Sequence, residues 1–463
     1  MAPPLPPKMT KRPASDGKDR SISPPPLKRK AQSAISKSAV ANFFTPTSQK
    51  PKDRTTWIER SSDEDTPATL LVGKYIPESG QSGASLPAAK RRKIAAFDLD
   101  STLITSASGK RHAGDAGDWK WWHHSVSGRL RQLYNDEEYQ VVVFTNQGGL
   151  TLHPDPKAKE PKSHQARVPA FKQKCNAVLM QLDLPATVYA ATGKDIFRKP
   201  RPGMWAEMKK DYDLTESEID WENSIFVGDA GGRTAELQGG TATSKDFSCA
   251  DRNFAHNVGI KYQTPEEFFL GEAPRPFARD FDPANFEYSE DDKLEVRFEK
   301  KNEKDIILFV GPPGAGKSTF YWKQLEPLGY ERVNQDILKS RDKCLKAAAD
   351  SLKDGESVVI DSTNPDPDTR AQWVELAIKM RVPIRCIWFR TPLQVCEHND
   401  AVRHLNKELN PESRQSLPRL AFNGFASRFK EPKPKEGFQD IFEVPFKFRG
   451  AKQEYDIWAR HWL

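Results

Sequence analysis

The stretch from Ile306 to Thr319, Ile-Ile-Leu-Phe-Val-Gly-Pro-Pro-Gly-Ala-Gly-Lys-Ser-Thr, constrains the fold more than any other in the chain. An apolar run ends at Gly311, and Gly316-Lys317-Ser318 follow after four residues. Gly, any four, Gly-Lys-Ser is the spacing of a loop that cradles nucleotide phosphates. Glycines let backbone N–H groups turn inward onto phosphate oxygens. The helix that follows aims the positive end of its dipole at the same place. Such a loop works only between a buried strand and a helix, so the motif demands a strand–loop–helix unit. The candidate nucleotide contacts are Gly311, Gly314, Gly316, Lys317, Ser318 and Thr319. Lys317 can reach the β- and γ-phosphates of ATP, and the Ser318 hydroxyl can hold Mg²⁺.

The first half of the chain carries further strand signals. Ile94-Ala-Ala-Phe97 stops at Asp98-Leu-Asp100-Ser-Thr102, Gln140–Phe144 stops at Thr145-Asn146, and Ser224–Val227 stops at Gly228-Asp229. Helical patterns lie between them, as at Val168–Leu182. Strands alternating with helices predict a mostly parallel sheet, with function gathered at the strands' carboxyl ends. The second half repeats the layout: a strand over Asp305–Val310, the phosphate loop, Val333-Asn-Gln-Asp336, a strand over Ser357–Ile360 ending at Asp361, and a strand over Ile384–Phe389. Phe422–Leu463 has aromatics and short strand-like pieces. The expected fold is therefore α/β, two doubly wound parallel-sheet domains after a disordered tail.

Composition sets the boundaries. Residues 1–88 are rich in Pro, Ser, Lys and Ala, which predicts disorder. Residues 89–272 read as the first α/β domain, 273–303 as a charged, Pro-containing linker, and 304–463 as the second domain. The basic clusters Lys28-Arg29-Lys30 and Lys90-Arg91-Arg92-Lys93 suit nuclear import or nucleic-acid contact, as does the net charge of +7. In the tail, Val40 precedes the pair Phe43-Phe44 by three positions, similar to a degenerate sliding-clamp-binding box, with Lys37 where Gln is usual. Five scattered cysteines suggest a reducing compartment, and no run approaches the roughly 18 apolar residues of a membrane span.

Two sites follow. In the first, Asp98 is the candidate nucleophile toward phosphorus and Asp100 the acid–base group. Lys199 and the Thr145 hydroxyl can hold phosphoryl oxygens. Asp98, Asp100 and Asp229 can offer oxygens to Mg²⁺. In the second, Asp336 is the candidate base for an acceptor hydroxyl, and Arg403 a lid arginine against charge on the transferred group. Ser318 and Asp361 stand on the metal side.

The first set, Asp98-Leu-Asp100-Ser-Thr102, Thr145-Asn146, Lys199-Pro200 and Gly228-Asp229, resembles the haloacid dehalogenase superfamily of phosphohydrolases. Further strings extend the likeness: Trp57-Ile-Glu-Arg60, Leu70-Leu71, Asp246-Phe-Ser-Cys-Ala-Asp251-Arg252, Thr264-Pro-Glu-Glu-Phe-Phe269, and Asp361-Ser-Thr-Asn-Pro-Asp366. Over residues 57–463 the chain is similar to the eukaryotic polynucleotide kinase 3′-phosphatases. The resemblance implies removal of a 3′-phosphate from a DNA end and ATP-dependent phosphorylation of a 5′-hydroxyl, in strand-break repair in the nucleus. It implies Asp251 as a further acidic residue at the metal. Animal members begin with a forkhead-associated domain, for which residues 1–88 are too short and too Pro-rich. RNA-end healing and a small-molecule phosphatase–kinase fusion are the alternatives, and a monomer without membrane attachment is expected.

Overall fold

Seven strands pair into the first sheet, in the order β1-β2-β5-β4-β3-β6-β7. They are β1 (Thr55–Arg60), β2 (Leu70–Tyr75), β3 (Lys93–Phe97), β4 (Tyr139–Asn146), β5 (Ala186–Ala191), β6 (Ile225–Val227) and β7 (Lys261–Gln263). The computed structural model describes residues 54–77, 90–110, 115–154, 166–238, 241–289 and 297–463. The clamp-like box at Val40, Phe43 and Phe44 and the cluster Lys28–Lys30 lie outside the described residues.

The central strand explains the apolar runs. In β3, Ala95 and Phe97 face one hydrophobic layer, and Ile94 and Ala96 face the other. A strand covered on both sides reads as continuous apolar sequence, as parallel sheets require. Helix α1 (Val126–Asn135) and helix α2 (Arg167–Leu182) supply Leu130, Leu133, Val178 and Leu179 to the first layer. Helix α3 (Gly203–Asp211) and helix α4 (Ala250–Val258) supply Met204, Trp205, Met208 and Phe254 to the second. Strand β3 pairs in parallel with both β4 and β6, so the sheet reverses its winding at β3.

The expectation of a disordered tail as far as residue 88 is corrected here. Strands β1 and β2 form an antiparallel pair, and β2 joins β5 in register from Leu70↔Ala191 to Tyr75↔Ala186. Arg60 Nη2 and Lys74 Nζ both bond Asp211 Oδ1, at 2.6 and 2.8 Å, fastening the pair to α3. Apart from the β1–β2 pairing itself, each of these partners lies more than 100 positions away in the chain, so local composition carried no sign of them.

The second sheet has the order β9-β10-β8-β11-β12, all parallel: β8 (Ile306–Val310), β9 (Tyr330–Asn334), β10 (Ser357–Asp361), β11 (Ile384–Arg390) and β12 (Ile441–Pro445). Its helices are α5 (Lys317–Phe320), α6 (Gln335–Leu338), α7 (Arg341–Lys353), α8 (Pro367–Met380), α9 (Leu393–Leu405), α10 (Arg419–Arg428) and α11 (Lys452–Trp458). Strand β8 again lies where the order reverses. The terminal region, expected as short strands, holds two helices around the single strand β12. The expected linker is partly packed: Phe281 and Phe286 lie against Val395 and Trp458, and Phe298 is buried beside Ile307 and Tyr330. Among the described residues, no helix is long and apolar enough to cross a membrane.

Candidate active sites

At the first switch point the chain leaves β3 at Asp98, whose N–H donates to Val227 O at 2.9 Å. Beyond β6, Gly228 turns under Asp251: a Cβ at position 228 would lie 2.3 Å from Asp251 Oδ2. Only glycine allows that approach. Asp251, in the first turn of α4, accepts a bond from Ala230 N at 3.0 Å. Asp98, Asp229 and Asp251 each bring one carboxylate oxygen within 4.8 Å of the others. Into this cluster reaches Lys199, with Nζ 2.6 Å from Asp98 Oδ1, 2.8 Å from Asp251 Oδ1 and 2.8 Å from Phe144 O. Its backbone is fixed too, since Lys199 N donates to Asn146 Oδ1 at 2.9 Å and Asn146 Nδ2 to Lys199 O at 3.1 Å.

The charges do not balance. Burial pushes the Asp98 carboxyl up to about 7, against the pull of Lys199 and with help from Asp251. Burial, then Asp98 and Asp251, push Asp229 up to about 8. For Lys199 burial alone would favour the neutral amine, yet Asp251 and Asp98 outweigh it and its pKa is raised. Three carboxylates, two of them buried and Asp229 half-buried, against one lysine leave surplus negative charge, relieved by a hard cation with oxygen ligands. The donor set fits Mg²⁺.

Asp100 stands apart from that cluster. Its side chain is 51% exposed. Oδ1 pairs with Lys174 Nζ at 3.1 Å and Oδ2 accepts from Gln147 Nε2 at 2.7 Å. In the turn after β3, Ser101 takes a left-handed φ of 64° and its N–H bonds Ile104 O. Asp100 sits at the mouth of the site while Asp98 is buried inside. Thr145 is buried beside them, its Oγ1 accepting from Gln147 Nε2 at 3.0 Å. Gln147 and Lys174 carry no motif and were not foreseen.

In the second unit, Gly314 and Gly316 have φ of 78° and 89°, the left-handed region. A Cβ on Gly314 would lie 2.4 Å from Cys396 O. Gly316 caps α5, and Lys317 Nζ turns back onto Gly311 O at 3.0 Å and Pro312 O at 2.6 Å. Burial pulls its pKa down to about 8. Gly314, Gly316, Lys317, Ser318, Thr319, Asp336, Asp361 and Arg403 line one cleft of about 1260 Å³. Gly311 is not among the residues lining that cleft, and a Cβ there would stand 2.8 Å from the Cβ of Phe389. Asp336 is 79% exposed at the start of α6, with Arg414 Nη1 at 3.7 Å. Arg403 Nη2 bonds Asp400 Oδ1 at 2.8 Å.

Ser318 Oγ donates to Asp361 Oδ2 at 3.1 Å, as the metal-side pairing requires. Two residues unforeseen in the sequence join them. Arg332 bonds Asp361, Ser318 and Glu412, and Arg414 Nη2 bonds Ser318 Oγ at 3.1 Å. The available signal was Arg332-x-Asn334, two polar residues on one face of a buried strand.

Residues 93–269 match the family model described as polynucleotide kinase 3 phosphatase, and residues 306–432 one described as AAA domain. The bifunctional polynucleotide phosphatase/kinase of Schizosaccharomyces pombe is 37% identical over 432 residues, 91% of this chain and 96% of that protein. The chain belongs to the bifunctional polynucleotide phosphatase/kinases. A polynucleotide 3′-phosphatase of Arabidopsis thaliana is 34% identical over 40% of this chain and 25% of that protein. Within the family layout, the first sheet of this phosphatase/kinase carries the phosphatase and the second the ATP-using kinase.

Proposed function

We propose that this phosphatase/kinase heals broken DNA strands in the nucleus. It removes 3′-phosphates at the Asp98 site in residues 89–272 and phosphorylates 5′-hydroxyls at the Lys317 cleft in residues 304–463. The observation that carries the reading is buried Lys199 bridging Asp98 and Asp251 within a three-carboxylate cluster, in a chain with a complete phosphate loop.

In the phosphatase step, an Asp98 oxygen attacks phosphorus while Lys199 and Thr145 hold two phosphoryl oxygens. The bond from phosphorus to the 3′ oxygen breaks, and Asp100, at the mouth, gives that oxygen a proton. Asp100 then takes a proton from water, which attacks the aspartyl-phosphate, frees inorganic phosphate and restores Asp98. Mg²⁺ held by Asp98, Asp229 and Asp251 would offset the phosphoryl charge. In the kinase step, Asp336 takes the proton of the 5′-hydroxyl as its oxygen attacks the γ-phosphate and ADP leaves. Lys317 and Arg403 meet the charge on the transferred group. Ser318 and Asp361 are the groups that would hold Mg²⁺ with ATP.

The basic clusters support the nuclear assignment, and a monomer suffices because each site is built within one chain. The segment at Val40, Phe43 and Phe44 docks a sliding clamp with an affinity on the order of micromolar, as suits a short aliphatic–aromatic peptide. The test of the main reading uses oligonucleotides with a 3′-phosphate or a 5′-hydroxyl, as DNA and as RNA, beside free sugar phosphates. Release and transfer confined to DNA ends are expected. Turnover of sugar phosphates alone would sink the reading.

A further inference from the structure

The last residues of the kinase unit are built into the phosphatase. Trp458 and Trp462 are buried with Val395 and Val402 of α9, and Trp462 Nε1 bonds Ile457 O at 2.8 Å. Between these tryptophans, His461 meets Asn257 of α4 in two bonds. His461 N donates to Asn257 Oδ1 at 2.8 Å, and Asn257 Nδ2 donates to His461 O at 2.7 Å. The same Nδ2 lies 2.9 Å from Pro200 O, next to Lys199. Arg201 completes the tie, with Nε 3.1 Å from Trp462 O and Nη1 2.7 Å from Asp195 O, at the opposite end of the same loop. His461 and Asn253, one turn before Asn257, are both buried.

A lysine stem has four rotatable bonds, so its head is held to a few tenths of an ångström only if its backbone is fixed. Asn146 fixes Lys199 from within the phosphatase. The following two residues, Pro200 and Arg201, are fixed by the chain's end. We propose that His461 and Trp462 are positioning residues of the phosphatase: through Asn257 and Arg201 they hold the Lys199 loop in the geometry its reaction uses. This rests on the reading of Lys199 as a phosphate-holding group. The phosphatase is then not self-sufficient, because its lysine loop is completed from the far end of the kinase.

The test uses the full chain, the chain lacking His461–Leu463, Asn257→Ala, and both changes together. Rates of 3′-phosphate release from an oligonucleotide and of 5′-phosphorylation are measured on the same preparations. Each single change should lower phosphatase kcat about tenfold, given the steep cost of misplacing a catalytic group, and raise KM less than about threefold. The pair should be no worse than the poorer single, because both break one brace. Kinase kcat should stay within about twofold for Asn257→Ala. Losses that multiply in the double variant would show two unrelated defects and overturn the proposal. So would a folded Asn257→Ala chain at full phosphatase kcat. If the shortened chain loses both activities by unfolding, Asn257→Ala alone decides. Lys199→Ala is the control: full activity there refutes the reading of Lys199, whereas an inactive Lys199→Ala beside a fully active Asn257→Ala refutes the brace.

Discussion

Arg332 closes on a single oxygen of Asp361: Nε is 2.8 Å and Nη2 2.6 Å from Oδ2. Nη2 also reaches Ser318 Oγ at 2.8 Å, so a guanidinium sits on both groups assigned to the metal side of the kinase. Glu412 Oε1, 2.9 Å from Nη1, gives it a partner to keep when it lets Asp361 go. A bound cation must therefore compete with Arg332. In Arg332→Met the Mg²⁺ concentration for half-maximal ATP binding should fall several-fold, as expected when a charge-assisted bond no longer holds the carboxylate. A titration with fluorescent ATP analogue reads it, and an unchanged midpoint would count against competition.

The two chemistries should come apart by single substitutions. Asp98→Asn keeps the size of the side chain and removes the nucleophile. Release of 3′-phosphate should drop by at least about 10³-fold while 5′-phosphorylation stays near wild type. Lys317→Ala should do the reverse, because it removes the ammonium that the loop brings to the β- and γ-phosphates. Asp336→Asn should stop transfer yet still bind ATP. Two radiolabelled oligonucleotides suffice, and a folded Asp98→Asn chain silent in both assays would mean one shared site.

Surplus negative charge at Asp98, Asp229 and Asp251 has a consequence for stability as well as rate. A Mg²⁺ ion held by the native cluster and not by the unfolded chain should raise Tm with concentration. Asp229→Asn removes one of the repelling carboxylates. With a chelator present the variant should be at least as stable as wild type, and adding Mg²⁺ should raise its Tm far less. Equal Mg²⁺ responses in the two proteins, by calorimetry, would place the cation elsewhere.

His398 is wholly buried, with Nε2 2.7 Å from Trp458 O, and burial holds its pKa down to about 4. Burial, then the charge of Arg279, holds His461 down to about 4 also. Unfolded histidines take up protons as pH falls below about 6.5, whereas these two resist until about 4. The unfolded state thus binds more protons across that interval. The stability these neutral rings confer is complete above pH 6.5 and is lost as pH falls toward 4, on the order of 3 kcal/mol for each. Asp98 and Asp229, pushed up to about 7 and about 8, act in the opposite direction over the same interval, so the His398 share is read as a difference. Going from pH 7.5 to pH 4.5, urea unfolding should show wild type losing on the order of 3 kcal/mol more, relative to its own value at pH 7.5, than His398→Gln does. An identical drop in the variant would refute the assignment.

What the sequence disclosed and what it hid divide along a physical line. Residues at the ends of apolar strands were legible, because a buried parallel strand and its polar terminus are local patterns. Asp98, Asp229, Lys317, Ser318 and Asp361 all came from that signal. Partners that arrive from distant chain were not. Lys174 projects from the middle of a helix onto Asp100, and Arg332 from a strand interior onto Asp361. Strands β1 and β2 were missed for the same reason, since their only sheet partner beyond each other is β5. Asp100 lies outside the Asp98, Asp229 and Asp251 cluster, with Lys174 and Gln147 on its two oxygens, partners that two-residue spacing alone does not disclose.

The pairing of β2 with β5 bears on any attempt to shorten this protein. Begun at the basic cluster Lys90–Lys93, the chain would keep every carboxylate of the phosphatase yet lose the strands that cover β5. Ala186–Ala191, buried at all six positions and apolar except at Thr187, would become an open sheet margin with unmatched N–H and C=O groups. Such a margin recruits strands from other molecules. The fragment would therefore be catalytically equipped and colloidally unstable, precipitating at concentrations where the chain from Arg54 onward stays dispersed.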